Sequence, residues 1–165
     1  MTKIIVITGP TAVGKTATAL ELAKNINGEI ICCDSMQIYR GLDIGTAKPI
    51  KDERNKIPHH CVDIVDPSAD FTVTDYIKYA DKAIADIVAR KKTPIICGGT
   101  GFYIKGLLFE QSYAGVKGDD ELRNQLIAES EKYGSEYLYT KLANLDPETA
   151  KTIHQNDTKR VVRSL

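Results

Sequence analysis

The stretch KIIVITGPTAVGKTATALELAKNINGEIICCD, residues 3–34, decides the fold. Residues 3–8 are a short run rich in Ile and Val, which predicts a strand buried on both faces. Residues 16–26 are rich in Ala and Leu and stop at Asn27-Gly28, the signature of a helix C-terminus. Residues 29–33 then predict a second buried strand, ending at Asp34. Strand, glycine loop, helix and strand in that order predict an α/β domain with a parallel sheet and right-handed crossovers.

The loop between the first strand and helix reads G-x-x-x-x-G-K-T, and that setting is the one a phosphate cradle of the P-loop type requires. Its residues are Gly9, Pro10, Thr11, Ala12, Val13, Gly14, Lys15 and Thr16. The glycines let backbone N–H groups wrap a di- or triphosphate, and the helix N-terminus adds partial positive charge. Lys15 reaches bridging and terminal phosphate oxygens, while the Thr16 hydroxyl is the predicted Mg²⁺ ligand. A nucleotide such as ATP is the default ligand of the loop taken alone.

Working outward, Asp34 closes an apolar strand, and open parallel sheets bind ligands beyond such strand ends. Two roles stay open for it, a carboxylate that organises a metal and a general base. Thr74 is the expected N-cap of a helix running to residue 91, with Ile77, Ala80, Ile84, Ile87 and Val88 on one side. Residues 94–97 predict a third strand that runs into Gly98-Gly99-Thr100-Gly101. Three glycines around one threonine allow a ligand close to the backbone, and Thr100 is the side chain there able to hydrogen-bond it.

After about Gly106 strand patterns vanish. Residues 119–132, 135–143, 147–153 and 158–165 predict four helices, so the expected division is a P-loop core over 1–114 and a helical segment over 115–165. The sequence ends inside an amphipathic helix with no cap, as expected of a fragment. Lys159, Arg160 and Arg163 share about one helical face, which alone reads as a solvated surface. Arg123, behind Asp119-Asp120, reads alone as a surface ion pair.

Composition narrows the classes. Lys+Arg and Asp+Glu both number 22, so any nucleic-acid site must be a local patch rather than a whole-chain field. Cys32, Cys33, Cys61 and Cys97 lack zinc spacing and read as buried reduced thiols. His59-His60 could suggest a metal, but adjacent side chains diverge. No run approaches the ~20 apolar residues of a membrane span, and a cytoplasmic chain without membrane partners is expected.

Four strings together resemble the tRNA dimethylallyltransferase (tRNA isopentenyltransferase) family: GPTAVGKT at 9–16, DSMQIYRGLDIGTAKP at 34–49, PHHCVDIVDP at 58–67 and GGTGFYI at 98–104. LDPETAKTIHQNDTKRVVRSL at 145–165 is a weaker fifth. The resemblance implies a P-loop NTPase-like parallel sheet flanked by helices, followed by a small all-helical segment. It implies Mg²⁺-assisted transfer of a dimethylallyl group from dimethylallyl diphosphate to N6 of the adenosine 3′ of the tRNA anticodon, by a monomer that grips the anticodon stem-loop. By the same resemblance the P-loop holds the prenyl diphosphate. Asp34, Ser35, Met36, Gln37, Thr100 and Arg123, with Lys159, Arg160, Val161, Val162 and Arg163, contact the tRNA. Asp34 and Thr100 are the expected catalytic pair. The family runs to about twice this length. Two rivals stand beside this reading: a P-loop nucleotide or metabolite kinase, and an inactive fragment that only binds prenyl diphosphate or tRNA.

Overall fold

The computed structural model of the chain describes residues 3–109 and 119–165. It divides into two compact units, Met1–Tyr113 and Ala114–Leu165. The boundary expected between residues 114 and 115 lies outside the described residues.

In the first unit β1 (Ile5–Thr8) leads through the glycine loop into α1 (Lys15–Ile26) and β2 (Gly28–Cys32). Asn27 ends α1 in the left-handed region (φ 53°), and its N–H returns to the Ala23 carbonyl, so the predicted terminus holds. Then come α2 (Lys51–Lys56), β3 (His59–His60), α3 (Val73–Ala89), β4 (Thr93–Gly98) and α4 (Gly101–Leu108). The four strands are parallel in the order β1-β4-β2-β3. β4 therefore lies between the first two strands of the sequence, with Thr8 beside Gly98 and Cys32 beside Cys97.

Three details depart from the sequence reading. β1 is only half-buried rather than buried on both faces, because among the described residues it is an edge strand paired with β4 alone. α3 begins two residues earlier than expected. Thr72, not Thr74, caps it: the Thr72 hydroxyl accepts from Asp75 N (3.2 Å) and the Asp75 carboxylate accepts from Thr72 N (3.1 Å). Thirdly α2, β3 and α4 were not anticipated as elements.

Each face of the sheet carries one core. α1 sets Ala19 and Ala23 against Ile30, Ile95 and Cys97. On the other face α3 sets Tyr76, Ala80, Ala83 and Ile87 against Ile31 and Ile96. Tyr76 stacks on Tyr103 of α4 (centroids 4.1 Å apart) and donates to the Cys32 carbonyl (3.1 Å). All four cysteines are buried and reduced; burial pushes the Cys61 thiol up to about 12 and Cys33 to about 11.

The connection from β2 to α2 contains no helix and is held by one buried cation. Lys48 spends its three N–H donors on the Tyr39 carbonyl (2.7 Å), Asp43 (2.8 Å) and Asp63 (2.6 Å). Burial alone would lower its pKa, but the two carboxylates prevail and raise it. Arg54 also pairs with Asp63 (2.5 Å). Lys48→Met keeps the stem and deletes the charge-assisted bonds. We expect it to cost about 2 kcal/mol, read as a lowered urea midpoint; a midpoint equal to wild type would contradict this role.

The second unit is helical: α5 (Asp120–Tyr133), α6 (Ser135–Leu145), α7 (Pro147–Lys151) and α8 (Thr158–Ser164). Asp119, Asp146 and Asp157 supply the N-caps of α5, α7 and α8, accepting from backbone N–H groups of the first turns. Leu126, Leu138, Leu142, Ala150, Ile153, Val161 and Val162 form its core. Among the described residues no helix is long and apolar enough to cross a membrane.

Candidate functional site

Because the strands are parallel, the loops after β1, β4 and β2 leave the sheet at one edge, in that spatial order. Their close approach is visible in the glycines. A Cβ on Gly99 would lie 3.5 Å from the Gly9 carbonyl oxygen and 3.9 Å from Lys15 Nζ. The loop after β4 thus abuts the phosphate loop. On its other side Cys33 N donates to Cys97 O (2.8 Å), and Thr100 N donates to Cys33 O (3.2 Å). The Thr100 hydroxyl accepts from Ser35 N (2.9 Å), tying the glycine-rich turn to the segment carrying Asp34.

The loop over residues 9–16 turns through positive φ at Ala12 (66°) and Gly14 (89°). Gly14 caps α1 without a side-chain bond, and the first turn holds no acid. The first N–H groups of the helix therefore keep their positive end for an anion. Lys15 folds back to donate to the Pro10 carbonyl (2.6 Å), a contact that phosphate oxygens can replace. α4 repeats the arrangement: Thr100 is its N-cap without a side-chain bond, and no acid lies in its first turn. This second helix N-terminus beside the loop was missed from the sequence, where GGTG reads as a turn that lets a ligand approach the backbone but not as the start of a helix.

Asp34 sits just past β2. Its Oδ1 accepts from Met36 N (2.8 Å) and Gln37 N (3.3 Å), an Asx turn that fixes the carboxylate and leaves Oδ2 without a bond among the described residues. Met36 is exposed. Gln37 is used internally: its amide donates to Thr46 O (2.9 Å) and Ala47 O (3.3 Å), and its Oε1 accepts from Cys32 Sγ (3.0 Å). A small cavity of about 20 Å³ under the first turn of α1 is walled by Thr16, Ala19, Ile30, Cys32, Gln37, Pro49, His59 and Cys97.

The two histidines diverge as expected. His60 donates from Nε2 to Glu29 (2.7 Å), while His59 Nδ1 lies 2.7 Å from the Ile57 carbonyl. In the helical unit Arg123 pairs with Asp120 (2.9 Å). On α8, Lys159, Arg160 and Arg163 are exposed at helical spacing, whereas Val161 and Val162 have their side chains in the core and present none to a ligand.

Residues 37–165 match the family described as IPP transferase. The chain belongs to the IPP transferase family. A tRNA dimethylallyltransferase of Halothermothrix orenii is 49% identical over 162 residues, covering 98% of this chain and 49% of the relative. One from Exiguobacterium sp. is 50% identical over 164 residues, covering 99% and 53%. Among solved structures, a full-length tRNA isopentenylpyrophosphate transferase from Bacillus halodurans superposes with TM-score 0.68 at 43% identity, covering 99% of this chain and 54% of that one. A eukaryotic dimethylallyltransferase captured acting on tRNA gives TM-score 0.82 at 35% identity, covering 99% and 40%. This IPP transferase family member spans about half the length of the curated relatives it matches.

Proposed function

We propose that the chain carries the prenyl-diphosphate and adenosine sites of a tRNA dimethylallyltransferase, which moves a dimethylallyl group onto N6 of the adenosine 3′ of the anticodon. The observation that carries this reading is the convergence of three loops: the phosphate loop, the Asp34–Ser35 segment and the Gly99–Thr100 turn, joined through Gly99 and the Thr100 hydroxyl. A bare phosphate binder needs only the first of them.

In this reading the diphosphate lies on the N-terminus of α1, held by the backbone N–H groups of residues 9–16 and by Lys15. Charge grows on that group as the C–O bond of the allylic carbon breaks, so donors aimed there stabilise the transition state. Asp34 takes the N6 proton as the new N–C bond forms, its Oδ1 anchored and its Oδ2 available. Thr100 aligns the Asp34–Ser35 backbone and lines the base's entrance. Mg²⁺ fits the donor set at Thr16 only together with substrate oxygens, because the described residues contain no cluster of three His, Cys, Asp or Glu able to hold an ion. When bound it neutralises diphosphate charge. In the helical unit, Lys159, Arg160, Arg163 and Arg123 are the cations offered to tRNA phosphates, and the protein works as a cytoplasmic monomer.

Calorimetry tests the reading. Dimethylallyl diphosphate is expected to bind more tightly than ATP, and Lys15→Ala to weaken it by about tenfold to a hundredfold. The opposite ranking would favour a kinase. For tRNA, alanine at Lys159, Arg160 and Arg163 is expected to flatten the salt dependence of binding by ~0.7 per lost single-strand phosphate contact.

A further inference from the structure

The cavity beneath the first turn of α1 has an unusual wall. His59 Nε2 is buried and has no hydrogen-bond partner among the described residues. The other ring nitrogen faces the Ile57 carbonyl at 2.7 Å, and a carbonyl can only accept, so Nδ1 carries the proton. Burial also holds the ring's pKa below its usual value, which keeps it neutral and leaves Nε2 as a bare lone pair.

The remaining polar walls decide what that lone pair can use. Both Gln37 donors are committed to Thr46 and Ala47. The Cys32 thiol is committed to Gln37 Oε1. The Thr16 hydroxyl makes no hydrogen bond among the described residues, and about 20 Å³ is room for a single water molecule.

We propose that one structural water in this cavity donates to His59 Nε2 and accepts from the Thr16 hydroxyl, making His59 a positioning residue for Thr16. A hydroxyl whose hydrogen is drawn inward shows only lone pairs outward. That is the orientation a hard cation needs, whereas a hydroxyl donating outward suits a phosphate oxygen instead. In the proposed arrangement His59 anchors the water that receives the Thr16 hydrogen, and so supports the polarity of Thr16 from behind without touching the ligand. The functional half of this inference rests on the phosphate-site reading above; the water itself does not.

The test has two arms, both on the 165-residue chain. In ¹⁵N NMR of the unliganded protein, His59 is expected as the Nδ1-protonated neutral tautomer, with its Nε2 resonance shifted as a hydrogen-bond acceptor and an Overhauser contact from the ring to a long-lived water. An Nε2-protonated ring, or no such water, overturns the proposal. In calorimetry with inorganic diphosphate, the gain in affinity on adding Mg²⁺ is expected to fall about tenfold in His59→Leu, the scale on which lost outer partners weaken metal sites. Affinity without Mg²⁺ should stay at the wild-type value. His59→Gln, which restores an acceptor, should recover most of the gain, and His59→Leu should add nothing in a Thr16→Val background. An unchanged Mg²⁺ gain in His59→Leu overturns the positioning role. Wild-type protein that fails to bind diphosphate refutes the phosphate-site reading instead, and the NMR arm still decides the water. That arm also needs no variant to fold.

Discussion

Gly98→Ala is expected to destabilise the α/β unit by about 3 kcal/mol or more, at the severe end of overpacking substitutions. A Cβ at this position would meet the Cys33 carbonyl oxygen at 2.0 Å, its carbon at 2.3 Å and the Cys33 Cα at 2.8 Å. All three are backbone atoms, so no rotamer change relieves the clash. β2 and β4 would have to separate at the end where Cys33 N bonds Cys97 O and Thr100 N bonds Cys33 O. Damage therefore reaches the Ser35–Thr100 link as well as the fold. Gly45→Ala is the control, because nothing lies within 4 Å of its added Cβ. Urea unfolding of both variants should separate them widely. Equal midpoints would mean that the strands part at little cost.

The second large effect is expected at the opposite end of β2. Glu29 is fully buried, and its carboxylate takes two bonds from Arg90, one from Lys92 (2.7 Å) and one from His60 (2.7 Å). The Arg90 guanidinium holds its carboxyl well below the usual range; burial opposes this, while Lys92 and His60 add to it. Arg90→Met leaves the buried carboxylate short of its main partner and is expected to lower the urea midpoint clearly at neutral pH. Since the folded pKa is depressed, Glu29 contributes its full stability above the unfolded value of ~4.3. That contribution is lost as pH falls from there through the folded value. The gap between wild type and Arg90→Met should therefore be wide at neutral pH and narrow in acid. A gap that does not change with pH would remove Glu29 from the account.

Much of the fold was legible because local signals agreed with the tertiary outcome. The strand, glycine loop and helix over residues 5–26 follow from apolar runs and from Gly14, whose positive φ the turn requires. The four helices of the second unit were also foreseen, and three of them, α5, α7 and α8, are capped by Asp119, Asp146 and Asp157. β3 was not legible, since two residues carry no periodicity and its pairing with Ile30 and Ile31 is set from a distance. The half-burial of β1 was hidden for a related reason: an apolar run does not say whether a strand has one neighbour or two. Gln37, which the family resemblance places among the tRNA contacts, also has a structural task that no motif announced: its amide holds the following loop at Thr46 and Ala47.

The strand order β1-β4-β2-β3 has a consequence for the history of the molecule on the ribosome. The strands that emerge first, β1 and β2, are not partners; β2 meets β3 first, but β1 must wait for β4, whose last residue is Gly98. Closing those contacts spans the helices between, and non-local pairings of this kind form slowly. The glycine loop is synthesised within the first 16 residues but gains its wall at Gly99 only once β4 has been made. On the proposed reading, anion binding at α1 is thus acquired only after β4 is made, and a nascent chain stopped before β4 carries the motif without the site.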